Sequence, residues 1–134
     1  MTAVAFPDPA DRCPCLSGEM YAGCCGPLHR GDTRATTAER LMRSRYSAFV
    51  TDDAAYLLST WHPRTRPARL DFEPGLRWLG LAVLEHHRQD EHQATVRFVA
   101  RSKRGGRAAR QMENSRFLCE AGRWLYVDGD IDSP

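Results

Sequence analysis

Four cysteines near the amino terminus are the residues whose spacing points most directly to chemistry. Cys13 and Cys15 are separated by one residue, eight residues follow, and Cys24 and Cys25 are adjacent. Thiolates in so short a segment can reach one centre, and Zn²⁺ favours four of them in a tetrahedral shell at roughly 2.3 Å. A filled shell leaves no position for a reacting molecule, so we predict a structural zinc ion.

The composition of the zinc shell has one alternative. His29 could replace Cys25 as the fourth ligand, because a Cys₃His shell is equally acceptable to zinc. We favour Cys25, and we expect the flanking Arg12 and Arg30 to offset the negative charge of the thiolates. The adjacent cysteines could instead form a disulfide, but such a disulfide is strained and is therefore disfavoured. Cys119 stands alone and is expected to be a small buried hydrophobic residue.

A second group of residues could line a ligand pocket or an active site. The candidate pocket residues are Trp61, His62, Trp78, Ser115 and Tyr126. His62 paired with Asp128 or Glu113 would supply the acid and base of a hydrolase or dehydratase. The sequence has no compact catalytic motif, which favours the simpler reading that His62 ends a helix and Asp128 precedes a turn.

The basic residues give a weaker signal. Of the 19 lysines and arginines, all but Lys103 are arginine, and the formal net charge is only +2. Several basic residues could contact RNA or an acidic protein, namely Arg43, Arg45 and a loop with Arg101, Lys103, Arg104, Arg107 and Arg110. The alternative, which we favour, is that Arg43 is a solvated helix residue and that the basic loop is mobile.

The length of 134 residues suits one hydrophobic core with a small appendage. Residues 1–12 show no periodicity and are predicted to be a flexible lead-in, residues 13–30 the zinc knuckle, and residues 31–134 the main domain. The sequence has neither a signal-peptide pattern nor an apolar run long enough to span a membrane. We therefore expect a cytoplasmic protein.

Two helices are predicted after the cysteines. Thr36 and Glu39 form a potential capping box, and apolar residues then recur at helical spacing up to Val50. Asp52 or Asp53 can cap a shorter second helix, which Pro63 is expected to end. The two helices would form a hairpin.

The second half of the chain alternates apolar and polar residues in four segments. These predicted strands are 76–85, 94–101, 112–120 and 123–128. Alternation of this kind is typical of strands with one buried and one wetter face, and the short connections favour an antiparallel sheet. The predicted fold class is α+β, with a zinc knuckle followed by a helical hairpin that packs on the sheet.

The stretch CPCLSGEMYAGCC resembles the SEC-C motif, a short zinc-binding module found at the end of the SecA translocation motor. The resemblance implies zinc ligation by Cys13, Cys15, Cys24 and Cys25. It also implies that Ser17, Gly18 and Tyr21 are structural positions of the motif.

The stretches AERLMRSRYSAFV, YLLSTWHPRTRP and ENSRFLCEAGRWLYVDGD resemble the YchJ-like family, a bacterial group that joins SEC-C to a nuclear-transport-factor-2-like (NTF2-like) domain. The resemblance implies a cone, related to the cystatin-like fold, in which a curved antiparallel sheet wraps against helices around a pocket. Such pockets host enzymes in some families and ligand or dimer sites in others. Many relatives are expected to carry histidine before Glu113, where this chain has Met112.

These observations together predict a zinc-binding adaptor. The knuckle would contact a protein or the ribosome, and the cone would form a homodimer or bind a small molecule. An enzyme that uses His62 and a carboxylate is the first alternative, and an RNA-binding protein with an arginine-rich surface is the second. The adaptor reading predicts an apolar or filled cone without a histidine–carboxylate contact, whereas the enzyme reading predicts an open pocket in which His62 is hydrogen-bonded to an acid.

Overall fold

The computed structural model describes residue 8 and residues 10–132. Most of the predicted flexible lead-in, residues 1–7 and 9, lies outside the described residues. A single turn of 3₁₀ helix, Tyr21–Gly23, precedes three helices: α1 (Cys25–Arg30), α2 (Ala38–Val50) and α3 (Ala54–Ser59). Four strands follow: β1 (Arg77–Arg88), β2 (Gln93–Arg104), β3 (Arg107–Glu120) and β4 (Arg123–Asp132). None of the helices in the described ranges is long and apolar enough to span a membrane.

The sheet is an antiparallel meander in the order β1-β2-β3-β4. Irregularities in the pairing occur between Trp78 and Gly80, between Val83 and Glu85, and between Arg116 and Phe117. Bulges of this kind bend a strand and increase its twist, so they account for the curvature of the sheet. The predicted α+β class and the curved antiparallel sheet are confirmed.

The strands are longer than predicted because β2 and β3 continue to a tight turn. The predicted mobile loop 102–110 is wrong, since Arg104 pairs with Arg107 and only Gly105 and Gly106 separate the strands. Both glycines have positive φ angles, of 56° and 79°. Two consecutive residues with positive φ form the hairpin turn that matches the twist of the strands.

Helix α2 packs against the inner face of the sheet. The largest cluster of buried residues joins this helix to all four strands and to α1: Leu28, Ala35, Ala38, Leu41, Met42, Tyr46, Ala94, Val96, Ala100, Phe117 and Trp124, with Trp78, Leu81 and Val83 of β1 packed against it. Helix α2 is also buried on its other side, where Ser47 is fully covered and its Oγ lies 3.9 Å from Cys13 Sγ. The helix therefore lies between the sheet and the cysteine segment, a position that its apolar periodicity alone did not predict.

Helix α3 ends at Ser59, four residues before Pro63. The chain then pairs with the edge of β4, because Tyr126 N donates to Thr60 O at 2.9 Å and His62 N donates to Tyr126 O at 2.7 Å. Proline was the predicted stop, but these two hydrogen bonds explain why the helix ends earlier. Asp53 caps α3, accepting from Tyr56 N at 3.0 Å.

Helix α2 is capped by Thr37, whose Oγ1 accepts from Arg40 N at 3.0 Å, and not by Thr36 as predicted. We expect Thr37→Ala to lower the free energy of unfolding by about 1 kcal/mol, because an amide at the start of the helix loses its acceptor. The neighbouring exposed Thr36 is a matched control, and Thr36→Ala should change stability by less than about 0.5 kcal/mol. Urea unfolding of both variants measures the difference, and equal losses would contradict the assignment of the cap.

Candidate metal centre and cone cavity

The four predicted cysteine ligands lie together. Their sulfur atoms all fall within 4.8 Å of one another, and all four side chains are buried. Cys15 Sγ and Cys24 Sγ are 3.6 Å apart. A tetrahedron with metal–sulfur distances of about 2.3 Å has sulfur–sulfur edges of roughly 3.8 Å. The cluster therefore has the size of a four-thiolate metal shell.

Backbone contacts within the segment hold the sulfurs in place. Cys13 N donates to Glu19 O at 2.8 Å, and Cys24 N donates to Tyr21 O at 3.1 Å. Gly26 follows the adjacent pair, and a Cβ atom there would lie 2.7 Å from Tyr21 O. Glycine is required at this position because no side chain fits between α1 and the preceding 3₁₀ turn.

Helix α2 supplies the positive charge beside the cluster. Arg40 donates to Cys25 Sγ at 3.7 Å and to Cys24 O, and Arg43 donates to Cys15 O at 3.0 Å. The expectation that Arg12 and Arg30 provide this charge is wrong. Arg12 donates to Gly18 O, and Arg30 pairs with Asp32 at the surface. The guanidinium groups of α2 thus anchor the knuckle to the main domain as well as offset its charge.

The electrostatics of the cluster favour a bound cation. Hydrogen bonds from the neighbouring thiols Cys15 and Cys25 lower the pKa of Cys13 to about 3. The corresponding contact with Cys13 and Cys15 raises the pKa of Cys25. Without a cation, one thiolate thus makes the loss of the next proton unfavourable. A divalent ion removes this conflict, and the donor set fits a metal that prefers soft sulfur ligands.

His29 occupies a structural position outside the sulfur cluster. Its Nδ1 lies 2.6 Å from Tyr21 Oη, and its Nε2 lies 2.9 Å from Ser44 O. Burial lowers the pKa of the ring, which favours the neutral form. Both nitrogens are thus engaged in linking the knuckle to α2. The structure groups Cys25, and not His29, with the other three cysteines.

A separate cavity of about 240 Å³ lies between α2 and the inner face of the sheet. Most of its walls are aromatic or aliphatic, and its lining residues are Met42, Arg45, Tyr46, Phe49, Trp61, Trp78, Phe98, Ala100, Gln111, Glu113, Ser115, Phe117 and Tyr126. Four of the five predicted pocket residues, Trp61, Trp78, Ser115 and Tyr126, are among them. Among the polar lining residues, those that sequence reasoning did not place in the pocket are Arg45 and Gln111.

Arg45 is a buried cation in the wall of this cavity. Only 6% of the residue is exposed, so its inclusion in an arginine-rich surface for RNA contact is wrong. Its Nη1 donates to Leu57 O and Thr60 Oγ1, each at 2.7 Å. The guanidinium carbon lies 5.0 Å from the centre of the Trp61 ring and 4.5 Å from that of Tyr126. Burial lowers the pKa of Arg45 to about 10, so the side chain remains charged at neutral pH.

Glu113 is the acid of the cavity. Its Oε2 accepts from Ser115 Oγ and, at 3.4 Å, from Tyr126 Oη. Burial raises the pKa of Tyr126, which keeps the phenol protonated as a donor. The carboxylate lies over Gly129 on the adjacent strand, where a Cβ atom would be 2.5 Å from Oε2. Gly129 thus provides the space that Glu113 occupies.

His62 does not line the cavity, and the structure does not bring it to Asp128 or Glu113. Its Nε2 lies 2.9 Å from Glu120 Oε2, while Asp128 accepts from Arg116 Nε at 2.6 Å. Neither Glu120 nor Asp128 lines the cavity. The pairing at the end of the helix hairpin sends His62 toward the end of β3, because residues 60–62 run along the edge of β4. The histidine–carboxylate contact is therefore part of the outer surface of the fold.

We expect the contact of His62 with Glu120 to contribute little to stability. The Glu120 side chain is 56% exposed, and ion pairs at such positions are typically worth less than about 1 kcal/mol. Glu120→Gln should thus change the free energy of unfolding by less than about 1 kcal/mol at neutral pH. Thermal and urea unfolding test this expectation, and a loss of 2 kcal/mol or more, on the order of that for a buried pair, would contradict it.

The fold and the cysteine cluster define an NTF2-like domain that carries a SEC-C-type knuckle. The family model described as "YchJ, middle NTF2-like domain" matches residues 37–129. The chain belongs to the YchJ/UPF0225 family. A UPF0225 protein of Ralstonia nicotianae is 52% identical over 96% of this chain and 97% of its own length. A UPF0225 protein of Streptomyces coelicolor is 52% identical over 92% of this chain and 98% of its own length.

Two solved structures are similar to the whole arrangement. The solution structure of a SEC-C motif containing protein from Rhodopseudomonas palustris is 34% identical, with a TM-score of 0.77, over 86% of this chain and 94% of that chain. The crystal structure of a SEC-C motif containing protein from Psychrobacter arcticus is 28% identical, with a TM-score of 0.74, over 98% of this chain and 86% of that chain. These findings confirm the predicted resemblance.

Proposed function

We propose that this protein is a zinc-stabilised adaptor whose knuckle and outer sheet face together bind a partner protein. The four buried thiolates suit zinc, because a closed tetrahedral shell of sulfur is typical of structural zinc sites. Such a site holds a loop rigid and takes no part in chemistry. The knuckle therefore acts through the surface that it presents.

The observation that carries the proposal is an exposed leucine held by the cysteine loop. Leu16 follows Cys15 directly, is 56% exposed, and has a positive φ of 63°. This conformation is unfavourable for a leucine and persists only where the surrounding structure imposes it. A polar residue or glycine would suit an exposed strained position better, so the apolar side chain supports a role in binding.

Leu16 belongs to a groove between the knuckle and the sheet, which we call the outer groove. Its lining residues are Leu16, Leu79, Gly80, Leu81, Ala82, Leu84, Val99, Arg101 and Arg110. Leu79 and Leu84 are 47% and 51% exposed on β1, which is an edge strand of the sheet. Leucines exposed together on such an edge are typical of a surface that another chain covers.

The charges around the outer groove favour an acidic partner. Arg101 and Arg110 lie directly opposite each other on β2 and β3, an arrangement of like charges that destabilises a sheet. Neither forms a salt bridge with a carboxylate in the described part of the chain. A protein segment that combines leucine-like side chains with aspartate or glutamate would cover the leucines and relieve the repulsion.

Photo-crosslinking tests this proposal in the bacterial cell with the full-length protein. Replacement of Leu84 by p-benzoylphenylalanine should give a crosslink to one protein, at a segment that contains acidic residues. The same probe at the exposed Arg69, outside the groove, is the matched control. Arg101→Glu with Arg110→Glu, and separately Cys13→Ser, should reduce the crosslink at least about fivefold, whereas His62→Ala should leave it unchanged.

Three results would contradict the adaptor proposal. They are a crosslink only to a second copy of the chain, a crosslink only to RNA, and the same products from Leu84 and Arg69. The first would assign the outer groove to a homodimer. The second would favour the RNA-binding alternative, in which the paired arginines contact phosphates.

A further inference from the structure

The cone cavity is lined by two oppositely charged side chains that do not form a salt bridge with each other. Arg45 and Glu113 both line it, yet no salt bridge within 4.0 Å joins them in the described residues. Two of the Arg45 donors are used by Leu57 O and Thr60 Oγ1, both through Nη1. Its Nε and Nη2 have no acceptor among the described residues. Neither nitrogen is a fully buried atom without a partner, a state that among the described residues is shown only by Trp61 Nε1, so both can donate to water or to a molecule in the cavity that Arg45 lines.

Hydrogen bonds hold the Glu113 carboxylate in a defined position in the cavity. Ser115 and Tyr126 both donate to its Oε2, and Oε1 has no donor in the described ranges. The absence of a side chain at Gly129 lets the carboxylate lie against the backbone of β4. Gln111 and Glu113 are only partly buried, so the cavity opens to solvent at that end.

The remaining walls select the shape of an occupant. Trp61, Trp78, Phe98, Phe117 and Tyr126 surround the space, and such side chains favour flat rings that stack or meet them edge to face. A cavity of about 150 Å³ accommodates benzene. The cavity of about 240 Å³ is therefore large enough for a bicyclic ring.

We propose that the cone cavity binds a flat, bicyclic aromatic molecule that carries a hydrogen-bond acceptor toward Arg45 and a hydrogen-bond donor toward Glu113. An anionic or carbonyl oxygen would accept from the free N–H groups of Arg45. An amine or ring N–H would donate to the free oxygen of Glu113. The aromatic walls would cover the apolar body of the molecule. This proposal is independent of the outer groove, which shares no lining residue with the cavity.

Four related probes separate the contributions of the two charged groups. Indole has neither substituent, indole-3-acetate adds an acceptor, tryptamine adds a donor, and tryptophan adds both. The protein has three tryptophans, of which Trp61 and Trp78 line the cavity and Trp124 does not. In ¹H–¹⁵N spectra of the full-length, metal-loaded protein, the side-chain N–H signal of Trp124 therefore serves as an internal control for the signals of Trp61 and Trp78.

We expect the signals of Trp61 and Trp78 to shift with the probes while that of Trp124 stays in place. Tryptophan should bind at least about tenfold more tightly than indole, because each hydrogen bond to a charged group contributes a factor of this order. Glu113→Gln should weaken tryptamine and tryptophan about tenfold and leave indole-3-acetate unchanged. Arg45→Lys should weaken indole-3-acetate and leave tryptamine unchanged.

Gly129→Ala tests the position of the carboxylate without changing its charge. The new methyl group would displace the end of the Glu113 side chain, so this variant should reproduce the selective loss seen with Glu113→Gln. Glu120→Gln, at a carboxylate outside the cavity, should change no affinity. The variants at Glu113 and Gly129 retain Arg45, so they test the proposal even if Arg45→Lys fails to fold.

The proposal would be overturned if no probe moved the Trp61 and Trp78 signals. It would also be overturned if indole bound as tightly as tryptophan, or if Glu113→Gln affected all four probes equally. Those results would mean that the cavity is apolar and that Arg45 and Glu113 do not recognise the acceptor and the donor of a ligand. None of them would bear on the adaptor proposal, whose variants lie in the knuckle and the outer groove.

Discussion

Cys15→Ser is expected to abolish metal binding and to unfold the segment around residues 11–31 while the cone stays folded. Cys15 is fully buried, and its sulfur touches that of Cys24. The four cysteines form their own buried cluster, with only Tyr21 packed against it. Apart from its hydrogen bonds with α2 and the burial of Leu28 in the main core, the segment has few contacts that could replace a bound metal. Structural zinc supplies on the order of 10 kcal/mol in small zinc-binding peptides.

Two measurements check this result. Elemental analysis after purification without chelator should find about one equivalent of zinc per chain for the wild type and nearly none for Cys15→Ser. Amide hydrogen exchange should show lost protection around Cys13 and Cys24 but retained protection in β2 and β3. Chelation of the wild-type protein should produce the same pattern.

Cys119→Ser is the matched control for the cysteine variant. Cys119 lies on β3 opposite Trp124, is not one of the four clustered cysteines, and has a partly buried side chain. This variant should keep its zinc. Less than about half an equivalent in the wild type, or full zinc content in Cys15→Ser, would refute the metal assignment.

Arg45→Ala is expected to lower the free energy of unfolding by about 3 kcal/mol, a loss comparable to that from truncation of a large buried apolar side chain. The change leaves Leu57 O without a donor that it has now, and it removes the cation that lies over Trp61 and Tyr126. Hydrogen bonds to a charged group are worth about 1.5–3 kcal/mol each, and a desolvated cation over an aromatic ring about 2 kcal/mol. The cost of burying the charge offsets part of this sum. A net loss of about 3 kcal/mol follows.

Urea unfolding of the zinc-loaded protein measures the loss, and Arg69→Ala is its control. The Arg69 side chain is 82% exposed and pairs only with Asp71, so its removal should cost less than about 0.5 kcal/mol. Arg45→Lys should fall between the two, because lysine keeps the charge but lacks the fork of donors. A loss below about 1 kcal/mol for Arg45→Ala would mean that the desolvation cost of the guanidinium cancels its contacts.

The burial of Arg45 shows where reasoning from residue type failed. Arg45 lies four residues after Leu41 and four before Phe49, which places it on the apolar, cavity-lining side of α2. In the structure the helix has neighbours on two sides, namely the sheet and the cysteine segment, so polar residues such as Ser47 are buried too. The residue pattern of one helix cannot show that another element packs on its second side, because that element lies elsewhere in the chain.

The predicted acid–base pair failed for a related reason. Glu113 and Asp128 lie on adjacent strands, and the register of β3 and β4 decides which face each side chain reaches. An irregularity between Arg116 and Phe117 changes that register within the sheet. A shift of one residue moves a side chain to the opposite face, so residue types alone could not tell which carboxylate enters the cavity.

The cysteine cluster, the two main helices and the four strands were predictable from the sequence because each depends on residues close together in the chain. Thiol spacing, helical periodicity and strand alternation are local properties. The arginines that contact the cluster were not predictable in this way, because they lie far from the cysteines in the sequence. Arg40 and Arg43 reach the cysteines across more than ten residues, and the nearby Arg12 and Arg30 do not supply that charge. Only the packing of α2 between the knuckle and the sheet decided which charges meet, which carboxylate enters the cone and which leucines remain exposed.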